Sequence, residues 1–236
     1  MRTLKNRIAV VTGASRGIGL AIAEGLVREG AEVVLVARDK KALNSARKKL
    51  GVKAVAVAAD VAQPADVDRI FRQVKKRYGR LDILVNCAGI FTYKPLGETT
   101  LEDWQRNIGT NLTSLFLTVK AALPLLGRSR HPHLVNILST SSQSAFPNCS
   151  AYTAAKFGAL GFTRVLRKEL RPQGIRVTAV LPGLTDTQML EEFGFKIPRD
   201  RVMQPEDVAE AVMAALRQPL RTAVEEVHLM PSAGAV

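Results

Sequence analysis

The sequence is poor in cysteine and in aromatic residues: of 236 positions two are cysteine and 5% are Phe, Trp or Tyr. Cys87 and Cys149 are too few for a disulfide framework, and neither has a second cysteine at metal-finger spacing. Few aromatics also means few platforms on which single-stranded bases could stack. The basic residues run from Arg2 to Arg221 without forming a tail, so no specific nucleic-acid binding is expected. His131-Pro-His133 has no carboxylate or thiol clustered with it and falls in a predicted surface loop, so no metal is assigned. No apolar run approaches the roughly 18 to 20 residues that span a bilayer, and the opening Met1 to Arg7 leads directly into a strand-like segment. The expectation is a cytoplasmic chain without membrane contact. Repeats, low-complexity tracts and Gly/Ser/Pro-rich linkers are absent, which predicts one domain over 1–236.

Acid is also short. Twenty-one Asp and Glu stand against 34 Lys and Arg, a formal charge of +13 that favours acidic partners: phosphorylated cofactors, nucleic acid or an acidic carrier protein. With 47% hydrophobic residues the chain can bury one large core.

Apolar runs of strand length alternate with segments of helical period. Strands are expected at Ile8 to Thr12, Val33 to Ala37, Ala54 to Ala58, Leu81 to Val85, Leu134 to Leu138, Ile175 to Leu181 and Val224 to Met230. Helices are expected at Gly17 to Glu29, Asp39 to Leu50, Pro64 to Tyr78, Leu101 to Leu126, Ser150 to Leu170 and Pro205 to Leu216. The strand runs are near-continuous Val, Ile, Leu and Ala, not alternating, as in a parallel sheet covered on both faces. The fold class is therefore doubly wound α/β, with a seven-stranded parallel sheet flanked by helices.

Directly after the first strand stands Thr12-Gly13-Ala14-Ser15-Arg16-Gly17-Ile18-Gly19. Glycines there permit a tight turn and close backbone approach, and the helix beyond them offers unpaired N–H groups to a pyrophosphate. Farther along, Tyr152 and Lys156 are four apart on a predicted helix and share one face, an arrangement suited to acid and base chemistry. A tyrosine normally titrates near 10, and a neighbouring ammonium is expected to bring it towards working range.

The Gly-x-x-x-Gly-x-Gly spacing resembles that of the short-chain dehydrogenase/reductase family. The resemblance continues in order through Asp60-Val61, Asn86-Cys87-Ala88-Gly89, Asn111, Ser139, Tyr152-x-x-x-Lys156 and Pro182-Gly183 with Thr185 and Thr187. It implies a Rossmann domain and hydride transfer between a nicotinamide cofactor and a carbonyl or secondary alcohol. By this resemblance Asn111, Ser139, Tyr152 and Lys156 are the catalytic set. Ser139 holds the substrate oxygen, selected by family spacing from among Thr140, Ser141, Ser142 and Ser144. Lys156 also bonds the nicotinamide ribose, and Asn111 holds a water that links Lys156 to solvent.

The resemblance likewise assigns cofactor contacts. Gly13, Ser15, Arg16, Gly17, Ile18 and Gly19 form the phosphate cradle, Asp60 and Val61 bind adenine, and Asn86, Ala88 and Gly89 support the adenosine side. Pro182, Gly183, Thr185 and Thr187 hold the nicotinamide amide, beside Tyr152 and Lys156. NAD-dependent members carry an acid where this chain has Ala37, followed by Arg38. A carboxylate would repel an extra phosphate, whereas Arg38 and Arg16 pair with one, so the cofactor is read as NADP(H). Asp39 is the competing acid, close enough in sequence to reach the ribose instead.

The family sets its substrate in the segment after the Pro-Gly turn, here about 188–203, where Met189, Leu190, Phe193 and Phe195 offer an apolar lid or mere helix packing. Much of the chain resembles bacterial 3-oxoacyl-carrier-protein reductases. That implies an acidic acyl carrier protein docking on Arg128 or Arg130 and Arg167 or Arg171. The C-terminal Val224 to Val236 departs from their usual tail and is similar to that of small hydroxy-acid and carbonyl reductases. The substrate thus remains either a carrier-linked 3-oxoacyl thioester or a small ketone, hydroxy acid or sugar. A binding protein working through its basic surface is the alternative from another class. The long helices predict a homodimer or homotetramer.

Overall fold

A computed structural model describes residues 4–194, 197–198 and 201–234. Seven strands form one all-parallel sheet: β1 (Ile8–Thr12), β2 (Glu32–Ala37), β3 (Ala54–Ala58), β4 (Ile83–Asn86), β5 (His133–Ile137), β6 (Arg176–Pro182) and β7 (Glu226–Leu229). Their order across the sheet is β3-β2-β1-β4-β5-β6-β7. Val10 of β1 lies between Val34 of β2 and Leu84 of β4, and every residue of β1 and β5 is buried. The continuous apolar runs are explained by that two-sided burial.

Seven helices cover the sheet: α1 (Gly17–Arg28), α2 (Lys40–Leu50), α3 (Pro64–Tyr78), α4 (Leu101–Ile108), α5 (Ser114–Leu126), α6 (Ser150–Leu170) and α7 (Pro205–Arg217). Ile22 and Leu26 of α1, Leu43 of α2 and Met213 of α7 pack with Val33 and Leu35 on one face. Ile70 and Val74 of α3, Val119 of α5 and Leu166 of α6 pack with Val34 and Val36 on the other. Alternate residues of β2 thus serve opposite layers. Pro64 opens α3 at a position that needs no N–H donor, and Gly79 closes it with a left-handed φ of 71°.

Two expectations are revised. The single helix Leu101 to Leu126 is two, separated by a π-helical turn at Gly109–Thr113. Taken together these 26 residues hold an 18-residue window with a mean hydropathy of 1.2, long and apolar enough to cross a membrane by length and composition alone. Their α5 part packs Leu115, Val119, Ala122 and Leu126 into the core. His133 is not a loop residue at the surface. It begins β5, is fully buried, and its Nε2 lies 2.8 Å from Thr178 Oγ1.

The strand order reverses between β1 and β4, each of which continues to a neighbour on its other side. At such a point the connections leave in opposite directions and open a crevice at the strands' C-terminal ends.

Candidate active site

A cavity of about 1450 Å³ occupies that crevice. One end is made by the turn from β1 into α1. Thr12, buried at the end of β1, accepts hydrogen bonds from Cys87 N at 3.0 Å and Ala88 N at 3.1 Å, drawing the β4 turn against the glycine loop. A Cβ on Gly13 would come within 2.9 Å of the Ala88 backbone, and one on Gly19 within 2.3 Å of the Gly13 carbonyl oxygen. Gly17 has a φ of 54° and faces the Thr187 methyl, which a Cβ would approach to 3.2 Å. No side chain caps the N-terminus of α1 and no acid lies in its first turn, so its N–H groups are free to meet an anion. This floor, with Ser15 and Ile18 on the wall beside it, fits a pyrophosphate.

Arg38, exposed at the end of β2, lies on the cavity wall beside Ala37. Arg16 lies on it too, its guanidinium hydrogen-bonded to Gln188 Oε1. Asp39 lines the cavity too, with its Oδ1 accepting from Ala42 N at 3.0 Å as the cap of α2. Asp60 and Val61 follow β3 on the same wall, with Asp60 Oδ1 held by Ala62 N at 2.9 Å. Ala88, Gly89, Pro182, Gly183, Thr185 and Thr187 also line the cavity, and the Thr185 hydroxyl donates to Gly183 O at 3.0 Å.

Asn86 differs from the expectation, because its side chain faces the core instead of the cavity. Its Nδ2 donates to Asn136 Oδ1 at 3.0 Å, and its Oδ1 accepts from the Thr118 hydroxyl at 2.9 Å. Asn136 in turn donates to Thr163 Oγ1 at 2.9 Å, which completes a buried polar chain from β4 through β5 to α6. Each buried amide is satisfied by a neighbour on another element.

At the opposite end, α6 presents Tyr152 and, one turn later, Lys156, both buried on the cavity wall. Ser139, on the residue after β5 and Leu138, joins them there, its Oγ accepting from Ser141 N at 3.0 Å. Burial pushes the Tyr152 phenol up to about 12, opposed by a hydrogen bond from the Ser139 hydroxyl and reinforced by Cys149. The expected lowering by Lys156 is not what dominates. The ammonium lies 5.5 Å from the centre of the phenol ring and its Nζ donates to Ile137 O at 3.4 Å. Burial brings Lys156 down to about 8, against an opposing pull from Cys87. At neutral pH the Tyr152 phenol is thus protonated.

Asn111 sits in the π-turn, fully buried and off the cavity wall. Its carboxamide clamps Ile90: Oδ1 accepts from Ile90 N at 3.1 Å and Nδ2 donates to Ile90 O at 3.0 Å. That bracing holds the segment after Gly89. The next residues are the ones the sequence reading missed. Phe91 meets the Tyr152 ring edge-on at 4.8 Å, and Phe193 lies 4.9 Å from Phe91 and 5.1 Å from Tyr93. Two aromatics at i and i+2 just past the Gly89 turn, in a chain with so few, were the available signal. Phe195 lies outside the described residues.

The arginines expected to receive an acidic carrier are divided. Arg167 and Arg171 are ion-paired with Glu225, and Arg164 holds Glu226 through both carboxylate oxygens at 2.9 and 3.1 Å. Arg128 and Arg130 are exposed.

A family model described as short chain dehydrogenase matches residues 7–196. An uncharacterized oxidoreductase of Staphylococcus aureus is 36% identical over 233 residues, covering 98% of this chain and all of that one. The glycine betaine reductase of Emericella nidulans is 36% identical over 97% of this chain, which spans 19% of that much longer protein. Among solved structures, the 3-ketoacyl-(acyl-carrier-protein) reductase of Brucella melitensis complexed with NADH superposes with a TM-score of 0.90 at 31% identity, over 98% of this chain and 99% of that one. An alcohol dehydrogenase of Thermococcus sibiricus complexed with 5-hydroxy-NADP gives 0.87 at 30% identity, over 97% of each chain.

Proposed function

Because the chain belongs to the short-chain dehydrogenase family, we propose that it is an NADP(H)-dependent oxidoreductase interconverting a carbonyl and a secondary alcohol. One observation carries this reading. A single cavity has a glycine floor fit for a pyrophosphate at one end and the buried Ser139, Tyr152 and Lys156 at the other.

The glycine loop and the N-terminus of α1 would hold the pyrophosphate, Asp60 and Val61 the adenine, and the 182–187 segment with Lys156 the nicotinamide half. Arg38 supports NADP(H) over NAD(H): it is an exposed cation on the cavity wall directly after β2, where Ala37 leaves no acid to repel a phosphate. The cofactor supplies or accepts the hydride when bound. The protein's own residues do the rest. Ser139 and Tyr152 hold the substrate oxygen between their hydroxyls, and Tyr152 gives its proton to that oxygen as the carbonyl is reduced. The buried ammonium of Lys156 stabilises the phenolate left behind. Asn111, as a positioning residue, fixes Ile90 and so the cavity wall, and its place in the π-turn beside Gly89 suits a water leading from Lys156 to solvent.

On substrate, the pairing of Arg167 and Arg171 with Glu225 supports a free small carbonyl compound over a carrier-linked 3-oxoacyl thioester. The whole chain forms the catalytic domain, with 188–203 as its substrate segment. Exposed Phe116 on α5 and Phe157 and Val165 on α6 support pairing of these helices in a homodimer or homotetramer. The deciding experiment monitors NADPH and NADH consumption with free and carrier-linked acetoacetyl thioesters and small ketones, beside Tyr152→Phe. NADPH-dependent turnover lost in that variant supports the reading. Turnover retained by Tyr152→Phe, or none with any carbonyl, sinks it.

A further inference from the structure

One turn before Asn111 stands Asn107, a second fully buried asparagine, near the end of α4. Asparagine is a poor helix former, and a buried carboxamide costs free energy unless it is bonded, so two of them four residues apart need a physical reason. The bonds supply it. Asn107 Nδ2 donates to Thr92 Oγ1 at 2.8 Å and to the Asp103 carbonyl oxygen at 2.9 Å, and its Oδ1 accepts from Asn111 Nδ2 at 3.3 Å. Turned round, the Asn107 amide would set its oxygen against the Asp103 carbonyl and its nitrogen against the Asn111 nitrogen, so its orientation is fixed.

With Asp103 the two asparagines form a ladder. Asp103, Asn107 and Asn111 follow one another at intervals of four on one side of the helix and hold Lys94, Thr92 and Ile90 in turn. The Lys94 rung is an ion pair, Nζ to Asp103 Oδ2 at 2.8 Å. Alternate residues of 90–94 are thus tied to the helix, and Phe91, between two rungs, meets the Tyr152 ring edge-on at 4.8 Å. The Asn111 end reaches towards the other buried group. A Cβ on Gly89 would lie 2.9 Å from Asn111 Oδ1 and 3.9 Å from Lys156 Nζ, so both border the same small space. Asn107 is the middle rung, bonded at once to the helix on either side of it and to the segment it faces.

We propose that Asn107 is a positioning residue for the reaction: by holding Thr92 and Asn111 together it fixes Phe91 against Tyr152 and the Asn111 carboxamide beside Lys156. The inference rests on the reductase reading, since what Asn107 keeps in register is the proton supply from Tyr152. Asn107 itself lies off the cavity wall and acts only through its neighbours.

Two variants test this role. Asn107→Leu keeps the branched shape and loses every bond. Asn107→Ser can still donate to the Asp103 carbonyl, a bond serine makes within helices, and is too short for Thr92 and Asn111. NADPH-binding sites are counted by fluorescence titration, and kcat per site is measured with whichever carbonyl of the panel above the parent reduces fastest. Counting sites removes any unfolded fraction, so a purely structural role lowers the melting temperature and leaves kcat per site alone. The expected result for both variants is a fall in kcat per site of about thirtyfold, with the Kd for NADPH within about twofold of the parent. Should Asn107→Leu fail to fold, Asn107→Ser decides alone. An unchanged kcat per site overturns the positioning role and leaves a reductase. A loss of kcat matched by an equal loss of NADPH affinity overturns it in favour of a cofactor wall. No carbonyl reduced by the parent overturns the reductase reading and the role with it.

Discussion

The Lys156 ammonium reaches past the Tyr152 ring, 5.5 Å from its centre, to the carbonyl oxygen of Ile137 at 3.4 Å. One backbone acceptor is slight compensation for burying a charge, and burial accordingly lowers Lys156 to about 8.

That cost has a stability consequence. Between pH 8 and 10.5 the unfolded chain keeps a proton on Lys156 that the folded protein has lost, so stability rises with pH through this window. Lys156→Met removes the buried charge and should be more stable than the parent at pH 7, on the order of 3 kcal/mol. The advantage should shrink as pH approaches 10.5. Urea unfolding midpoints across the range give the answer, and an advantage independent of pH would rule out burial of the charge as its cause.

His133 predicts the opposite limb. It is buried and neutral, held down to about 3 by burial with a smaller push from Arg176, and its Nδ1 has no partner. As pH falls from about 6.5 to 3 the unfolded chain gains a proton there and the folded protein does not, so stability is lost over that interval. His133→Leu gives up one hydrogen bond to Thr178 and should flatten the acid side of the pH–stability profile. An unchanged acid slope would show that other groups govern acid unfolding.

Cofactor preference should track Arg38. Arg38→Ala is expected to weaken NADPH binding about tenfold or more while leaving NADH nearly untouched, as loss of a charge-assisted contact would. Ala37→Asp should move preference towards NADH. Fluorescence titration of both cofactors decides; equal losses for NADPH and NADH would assign Arg38 no phosphate role.

The glycine floor should tolerate nothing larger. In Gly19→Ala the new Cβ would fall 2.3 Å from a backbone oxygen, a clash only a shift of the loop relieves. Cofactor binding should drop sharply and the melting temperature should fall. Gly97→Ala meets nothing within 4 Å and serves as the neutral comparison. Equal behaviour of the two variants would contradict the close approach.

Most of the fold was legible because buried parallel strands are continuous apolar runs and the helices carry their own punctuation. Pro64 and Gly79 bound α3 where the pattern placed it. The π-turn was not legible, since no proline or charged residue falls within Gly109–Thr113 to mark a break between the two helical segments. Partnerships across long stretches of chain were also hidden. Nothing local announces that Arg171 meets Glu225, that Asn86 bonds Asn136, or that Phe193 comes back to Phe91. Local pattern did put Tyr152 and Lys156 on one helix face, whereas Ser139 was chosen among its hydroxyl neighbours at the strand end by family spacing alone. The aromatic enclosure around them is a product of tertiary approach alone.

The wide turn at Gly109–Thr113 divides the labour of its helix. A π-turn adds about one residue to the winding, a phase slip of roughly 100° between the helix on its N-terminal side and the helix on its C-terminal side. The α4 half brings Asp103 and Arg106 to the cavity, while the α5 half buries Leu115, Val119 and Ala122. The irregularity is thus the joint at which the stretch that serves the reaction chamber meets the stretch that serves the core.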